Sequence, residues 1–255
     1  AGQALAEHPD IDHISFTGSP ETGRRVAQAG AQHHCPVTLE LGGKSPQIVF
    51  DDADLQAALP VLVNAIIQNG GQPCSAGSSV LIQQGIHDAL VEQLIDRFSA
   101  LRAGPALADL DLGPLVSRRQ LQRVWDYLSD AQASGLGFAA QGTVQDNAPG
   151  AGFYQAPVLL TRVPRDDRLF QEEIFGLANG TRYGLVAGVW TRDGGRQMRM
   201  ARAIRGGQVF INNYGAGGGV ELPFGGVRAS GHGREKGFEA LYAFTTLKTI
   251  AIRHD

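Results

Sequence analysis

Short β-forming runs alternate with amphipathic helical patterns along this chain, and that alternation predicts an α/β fold. Three observations carry it. Residues 11–16 form a β-type run that leads through Thr17-Gly18 into Ser19-Pro20-Glu21, which reads as a helix start. Residues 37–41 and 47–50 read as two further strands, the first ending in Gly42-Gly43 and the second followed by Asp51-Asp52. Leu55, Leu59, Leu62, Val63, Ile66 and Ile67 then recur at three- and four-residue spacing, so a helix there presents one apolar face to a sheet.

Composition narrows the class. At 255 residues the chain can bury a substantial core and form one or two domains. A 43% hydrophobic and 18% charged composition with 34 glycines fits a loop-rich globular protein and excludes disordered and fibrous chains. The formal charge of −3 leaves no footprint for nucleic acid. No apolar run approaches the roughly 20 residues that cross a bilayer, and the opening residues do not read as a secretory leader. A cytoplasmic protein without a membrane partner is expected. Cys35 and Cys74 are too few for a disulfide framework and suit a reducing compartment.

The elements follow in order. Ala1 to Glu7 reads as the tail of a helix, and the chain does not open on Met. Ser19 is a good N-cap, Pro20 suits the first helical position and Glu21 the first turn. A strand, a glycine turn and a helix N-terminus together make an anion site. His33-His34-Cys35 is read as a surface corner, because adjacent side chains rarely converge on one metal ion. Residues 37–41 form a buried strand with Glu40 near its carboxyl end. Ligands of open α/β sheets bind beyond such ends, which makes Glu40 a candidate general base where an ordinary glutamate is solvated or ion-paired. Asp51-Asp52-Ala53-Asp54 offers caps for the next helix, Pro60 predicts a kink in it, and Asn69-Gly70 ends it. Residues 79–83 are a strand, 88–101 a helix on Ala89, Leu90, Leu94, Ile95 and Phe98, and 120–134 a further helix entered through Gly113-Pro114-Leu115-Val116-Ser117. Residues 142–152 are a surface loop. A strand at 186–190, a helix at 195–204 and a strand at 208–212 come next. Gly215-Ala216-Gly217-Gly218-Gly219 is superficially a dinucleotide fingerprint, but Val220-Glu221-Leu222-Pro223 follows where a helix should open, so it is read as a flexible loop near a substrate entrance. Residues 245–253 are read as a terminal strand, with Leu247, Thr249 and Ala251 on one face and Ile250 and Ile252 on the other. Its unpaired edge invites another chain.

The thiol carries the chemistry. Asn69-Gly70-Gly71-Gln72-Pro73-Cys74-Ser75-Ala76 places Cys74 just past two glycines, in a loop where backbone can approach a ligand. A lone cysteine is ordinarily a small buried hydrophobe. Deprotonated, it is a strong nucleophile.

Five strings decide between these readings: Leu39-Glu40-Leu41-Gly42-Gly43-Lys44-Ser45-Pro46, the Cys74 segment, Phe16-Thr17-Gly18-Ser19, Glu172-Glu173-Ile174-Phe175-Gly176 and Leu222-Pro223-Phe224-Gly225-Gly226. Together and in this order they resemble the NAD(P)-dependent aldehyde dehydrogenase superfamily, nearly end to end. The likeness is nearest to the hydrolytic branch acting on betaine, amino and aromatic aldehydes. It implies an aldehyde dehydrogenase-like catalytic domain at 43–238, a remnant of a Rossmann-type nucleotide-binding domain at 1–42 and an oligomerisation segment at 239–255. It also implies NAD or NADP as cofactor, with Gly18, Ser19 and Leu41 against the dinucleotide, Glu173 on the nicotinamide ribose and Phe175 by the ring. Beside the glycine-rich loop, Phe224 is read either as an apolar wall for the substrate or as core packing; the resemblance implies a small-molecule aldehyde as substrate and a homo-oligomer built by the C-terminal strand. Members are about twice as long, so a C-terminal fragment is expected, lacking an oxyanion-hole asparagine and the groups that hold the adenosine ribose. After Gly176 the chain also skips about twenty residues that members carry.

The implied reaction is oxidation of an aldehyde to a carboxylic acid. Cys74 adds to the carbonyl to give a thiohemiacetal, hydride leaves to the nicotinamide, and water activated by Glu40 hydrolyses the thioester. Two rivals stay open. Cys74 and Glu40 without nicotinamide form a thiol esterase, or the chain is a non-catalytic, oligomer-forming decay product whose Cys74 is no more reactive than Cys35.

Overall fold

The computed structural model describes residues 1–164, 179–215 and 219–254. After a short helix α1 (Gly2–Ala6), β1 (Ile14–Gly18), α2 (Pro20–Gln32) and β2 (Val37–Leu41) form a parallel β-α-β unit in which Gly18 pairs with Leu41 and Thr17 with Glu40. Thr17 and Gly18 thus belong to the strand, not to a turn. Ser19 alone joins it to α2, its hydroxyl accepting the Thr22 N–H at 3.2 Å. At the other end of α2, His34 takes a positive φ of 56° and the Cys35 N–H returns to the Gly30 carbonyl, which makes the expected corner before β2.

The second sheet is wholly parallel, in the order β10 (Gln208–Ile211), β9 (Val186–Trp190), β3 (Pro46–Val49), β4 (Ser79–Ile82). Period-two alternation divides its side chains between two cores. Val49 and Trp190 join the buried faces of α3 (Leu55–Ile67) and α4 (His87–Ala100) through Leu62, Leu90, Leu94 and Phe98. Their register neighbours Ile48 and Val189 face the opposite side, where Ile204 follows α6 (Gly194–Ala203). Short ladders complete the fold: β5 (Arg102–Ala103) with β7 (Thr143–Val144), and β6 (Phe138–Gln141) with β8 (Val158–Leu160), flanking α5 (Arg118–Ala133). The loop read at 142–152 therefore begins with ladder residues.

Side chains start the helices as their types dictate. Asp54, Ser117 and Asp193 accept the N–H of Ala57, Gln120 and Arg196 at 3.1, 3.2 and 2.9 Å. Asp52 accepts both the Thr191 hydroxyl, at 2.7 Å, and Arg196 Nη1, at 3.0 Å, tying the end of β3 to the end of β9.

The helix α3 continues through Pro60 as one element, where the proline removes the bond to the Gln56 carbonyl. The chain is re-aimed later, where Asn69, Gly70 and Gly71 take φ of 46°, 62° and 74°. One expectation is corrected: the terminal strand does not form. Residues 245–254 join no ladder among the described residues, and Leu247, Ile250 and Ile252 are 98%, 77% and 71% exposed. A strand's hydrogen bonds lie between segments, so β-forming composition without an edge to pair with yields none. Unforeseen, the two-residue β11 (Gly231–His232) pairs antiparallel with β2, setting Gly231 beside Glu40, and α7 (Gly237–Ala243) follows it.

Candidate active site

β2, central in its three-stranded sheet, carries Glu40 into the interior, where the residue is 2% exposed. Neither carboxylate oxygen accepts a hydrogen bond of good geometry among the described residues. Burial first, then the charge of Glu235, raise the Glu40 pKa from 4.5 to about 8. The Arg234 cation and the nearby Gly226 N–H offset a little of this. The segment 224–235 lies over the acid as a closed loop, locked at its base by reciprocal Phe224 and Glu235 backbone bonds of 2.6 and 2.7 Å. A Cβ on Gly225 would sit 2.5 Å from Glu40 Oε1, so the loop packs this closely only with glycine there.

Cys74 is half-buried in the loop beyond the left-handed Asn69-Gly70-Gly71 turn. Three contacts fix it. The Gln72 side chain donates to the Asn69 carbonyl at 2.8 Å and accepts the Val116 N–H at 2.9 Å. The Tyr214 hydroxyl donates to the Ser75 carbonyl at 2.6 Å, and burial pushes that phenol up to about 12. A Cβ on Gly43 would stand 2.8 Å from the Cys74 carbonyl oxygen, so the turn leaving β2 lies directly against the cysteine loop. Ser230, fully buried, fastens the same turn by donating to the Gly42 carbonyl at 2.9 Å while accepting the Gly184 N–H at 3.0 Å.

The two groups sense each other. Burial raises the Cys74 pKa, and the Glu40 carboxylate is the next cause, while the Ser75 and Cys74 N–H groups favour the thiolate more weakly. In the resting site both groups are therefore neutral near pH 7, a protonated acid beside a latent nucleophile, and Glu40 becomes a proton acceptor only on ionising.

At the carboxyl ends of β1 and β2 the structure brings Gly18, Ser19 and Leu41 together. Leu41 packs its side chain on Gly23 of α2 and pairs its backbone with Gly18. Phe224, half-buried beneath the Lys236 ammonium, stands at the base of the loop covering Glu40. Glu173 and Phe175 lie outside the described residues. Sequence reading missed Glu235, Arg234, Tyr214 and Ser230. The first two lie eight and nine positions past Gly226, the end of the Leu222-Pro223-Phe224-Gly225-Gly226 string, and nothing in their spacing announces a return to β2 nearly two hundred residues upstream. Among the described residues no cluster of three or more His, Cys, Asp or Glu is placed to hold a metal, and no helix is long and apolar enough to cross a membrane.

A buried acid near the carboxyl end of β2, acting electrostatically on a thiol in the loop that leads into β4, is an arrangement of the kind covalent catalysis requires. Residues 1–176 and 177–250 match the model of the Aldehyde dehydrogenase family, and the chain belongs to that family. It is 39% identical to an aldehyde dehydrogenase of Emericella nidulans and 37% identical to the human 4-trimethylaminobutyraldehyde dehydrogenase. These matches cover 99% and 98% of this chain, but 54% and 55% of those proteins. The chain thus spans about half the length of the curated relatives it matches. A crystal structure from Burkholderia cenocepacia, provisionally named an aldehyde dehydrogenase, superposes with a TM-score of 0.96 at 67% identity, covering all of this chain and 57% of that one. The NAD+ complex of an aldehyde dehydrogenase from Bacillus cereus superposes at 0.89 with 36% identity, covering 97% and 53%.

Proposed function

We propose that this chain carries the catalytic centre of an NAD(P)-dependent aldehyde dehydrogenase, oxidising an aldehyde to a carboxylic acid. The observation supporting it most is that Glu40, buried with no hydrogen bond of good geometry among the described residues, lies close enough to Cys74 for its charge to act on the thiol. In this reading Cys74 Sγ attacks the aldehyde carbon, and the Cys74 and Ser75 N–H groups are the local donors for the oxyanion that forms. Glu40 in its ionised form, the carboxylate, then takes a proton from the water that attacks the acyl thioester carbon, and collapse releases the acid and the Cys74 thiolate.

The residues at the ends of β1 and β2 fit one end of the dinucleotide. Ser19 caps a 13-residue helix whose positive end favours a pyrophosphate. The space a Cβ on Gly18 would fill lies 2.5 Å from the Phe16 ring, so glycine keeps that backbone approachable. Gly18, Ser19 and Leu41 would hold this end, with Glu173 and Phe175 assigned by resemblance to the nicotinamide end. When bound, NAD(P) supplies the hydride acceptor. Phe224 is assigned to the aldehyde's apolar wall, and a reducing cytoplasm suits the two free thiols, Cys35 and Cys74.

Trimethylammonium aldehydes are the first substrates to try, since relatives from Homo sapiens and Rhizobium leguminosarum are named for 4-trimethylaminobutyraldehyde and betaine aldehyde. Formation of reduced cofactor is followed by absorbance for the wild type, Cys74→Ala and Glu40→Gln, with circular dichroism confirming each fold. Turnover lost in both variants is expected. Turnover unchanged in Cys74→Ala, or none from folded wild type, overturns the reading. Ester hydrolysis that NAD leaves unaltered would replace it with a thiol esterase.

A further inference from the structure

β3, inside the four-stranded sheet, carries a polar residue where its neighbours are apolar. Gln47 is fully buried and, by strand alternation, shares a face with Val49. Its Oε1 accepts the Trp190 indole N–H at 3.0 Å. Opposite it in the ladder stands Gly188, where a Cβ would overlap Gln47 Oε1 and lie 3.1 Å from the Tyr214 ring. Gln47 Nε2 lies 3.1 Å from the space a Cβ on Gly77 would fill, so this side chain passes directly beneath the chain that leaves Cys74. A buried amide is costly unless both its ends are engaged. Yet Nε2 makes no hydrogen bond of good geometry among the described residues, and neither does the fully buried Ser45 hydroxyl two positions earlier.

Both groups act on one neighbour, the Tyr214 phenol. Burial raises the Tyr214 pKa, the Ser45 hydroxyl and then the Gln47 side chain draw it back, and the Cys74 charge adds to the rise. The end of β10 delivers this tyrosine. Asn212, at a φ of 50°, accepts the Thr191 N–H and donates to the Thr191 carbonyl, both at 2.9 Å, which clasps β10 to β9 one residue beyond Trp190. Two residues on, Tyr214 sets its ring edge-on to Phe210 at 5.7 Å and donates its hydroxyl to the Ser75 carbonyl at 2.6 Å. A buried polar line thus runs from Trp190 through Gln47 and Tyr214 to the residue after the thiol. The Ser75 and Cys74 N–H groups are the ones that favour the thiolate, and the Ser75 carbonyl is where this line grips them.

We propose that Gln47 and Tyr214 are positioning residues for Cys74: Gln47 fixes the phenol, and the phenol, through the Ser75 carbonyl, keeps the Cys74 and Ser75 N–H groups aimed at the sulfur. Neither side chain touches the reacting atoms. Removing the phenol hydroxyl frees the Ser75 carbonyl, the two N–H groups lose their aim, and the thiolate forms at higher pH. The same N–H groups are the local donors for the oxyanion, so thiol and oxyanion depend on one anchor. The proposal rests on the reading of Cys74 as the nucleophile, and it adds that the thiol is tuned from the interior of the sheet.

Iodoacetamide alkylation as a function of pH tests it, with each cysteine followed separately by peptide mapping and Cys35 as the internal reference. The chains compared are the wild type, Tyr214→Phe, Gln47→Met, Trp190→Phe and the double variant Tyr214→Phe with Gln47→Met, each fold confirmed by circular dichroism. Tyr214→Phe keeps the ring against Phe210, and the pH at which Cys74 reaches half its limiting rate should rise by about half a unit or more, roughly threefold less thiolate at pH 7. Gln47→Met and Trp190→Phe should shift it the same way by less. The double variant should match Tyr214→Phe alone, because Gln47 acts through the phenol. Cys35 should not change. Should Gln47→Met fail to fold, Trp190→Phe still tests the line by removing the donor to Gln47 Oε1. A Cys74 profile in Tyr214→Phe that superposes on wild type, even with lowered stability in urea, overturns the proposal, and additive shifts overturn the route from Gln47 through Tyr214. No readout here uses aldehyde oxidation, so this proposal and the catalytic reading fail separately.

Discussion

Glu40 and Glu235 set the protonation state of the site between them. The Glu235 carboxylate is the largest charge acting to keep Glu40 protonated, and the Ser15 hydroxyl holds one of its oxygens at 2.9 Å. Replacing Glu235 with Gln removes that charge while keeping a hydrogen-bonding group for Ser15. Glu40 should then ionise below its present value of about 8, and the protonated-carboxyl band in an infrared pH titration should vanish at lower pH. A band that titrates unchanged would remove Glu235 from the account. The same electrostatics predicts the thiol's behaviour. Without the Glu40 charge beside it, the Cys74 thiolate forms at lower pH, so alkylation of Cys74 in Glu40→Gln should reach half its limiting rate at lower pH than in wild type. Both candidate groups were legible in the sequence, because a glycine-flanked thiol and a strand-end acid are local patterns. Glu235 was not, since its effect depends on a loop closing across the fold.

Adjacent glycines show what structure adds to a motif. Gly42 and Gly43 read alike in sequence, yet a Cβ on Gly42 meets nothing within 4 Å, whereas one on Gly43 would strike the Cys74 carbonyl oxygen and Leu185 Cβ at 2.8 and 2.9 Å. Gly43→Ala should therefore push the β2 turn off the cysteine loop and cost about 10²-fold in turnover, with Gly42→Ala near wild type. Equal activity in both variants would show that the contact does not position Cys74. In the core, Leu90 is fully buried between α4 and the sheet, and Leu90→Ala should lower stability by about 2–5 kcal/mol in urea unfolding. Helices and buried strands were legible because caps and apolar periodicity are written within each segment. The ladders β5–β7 and β6–β8 and the return of β11 to β2 were not, because two to four residues carry too short a pattern and the partner is distant. Residues 245–253 failed in the opposite way: their pattern is strong, but a pattern supplies no partner.

Titration of the whole molecule follows from the same buried acid. Folded Glu40 keeps its proton up to about pH 8, whereas an unfolded glutamate loses it near 4.5. Between those values the unfolded chain binds fewer protons than the folded one, so rising pH favours unfolding. The aspartates work the other way. Asp52 is held low first by the Thr191 hydroxyl, and Asp54 and Asp193 by the Ala57 and Arg196 N–H groups; their support is in place above about pH 3.8 and is lost as pH falls below it. These groups together place greatest stability near pH 4 to 5, which is lower than the range usual for a globular protein. The unfolding free energy from urea titrations, measured at constant ionic strength, should fall from pH 5 to 8, with a slope of roughly 1.4 kcal/mol per pH unit at its steepest, and then level off. In Glu40→Gln the amide cannot ionise in either state, so most of that fall should disappear while the acid-side loss below pH 4 remains. A wild-type profile flat between pH 5 and 8 would mean that Glu40 is charged in the folded protein, and the picture of a neutral acid beside a neutral thiol would go with it.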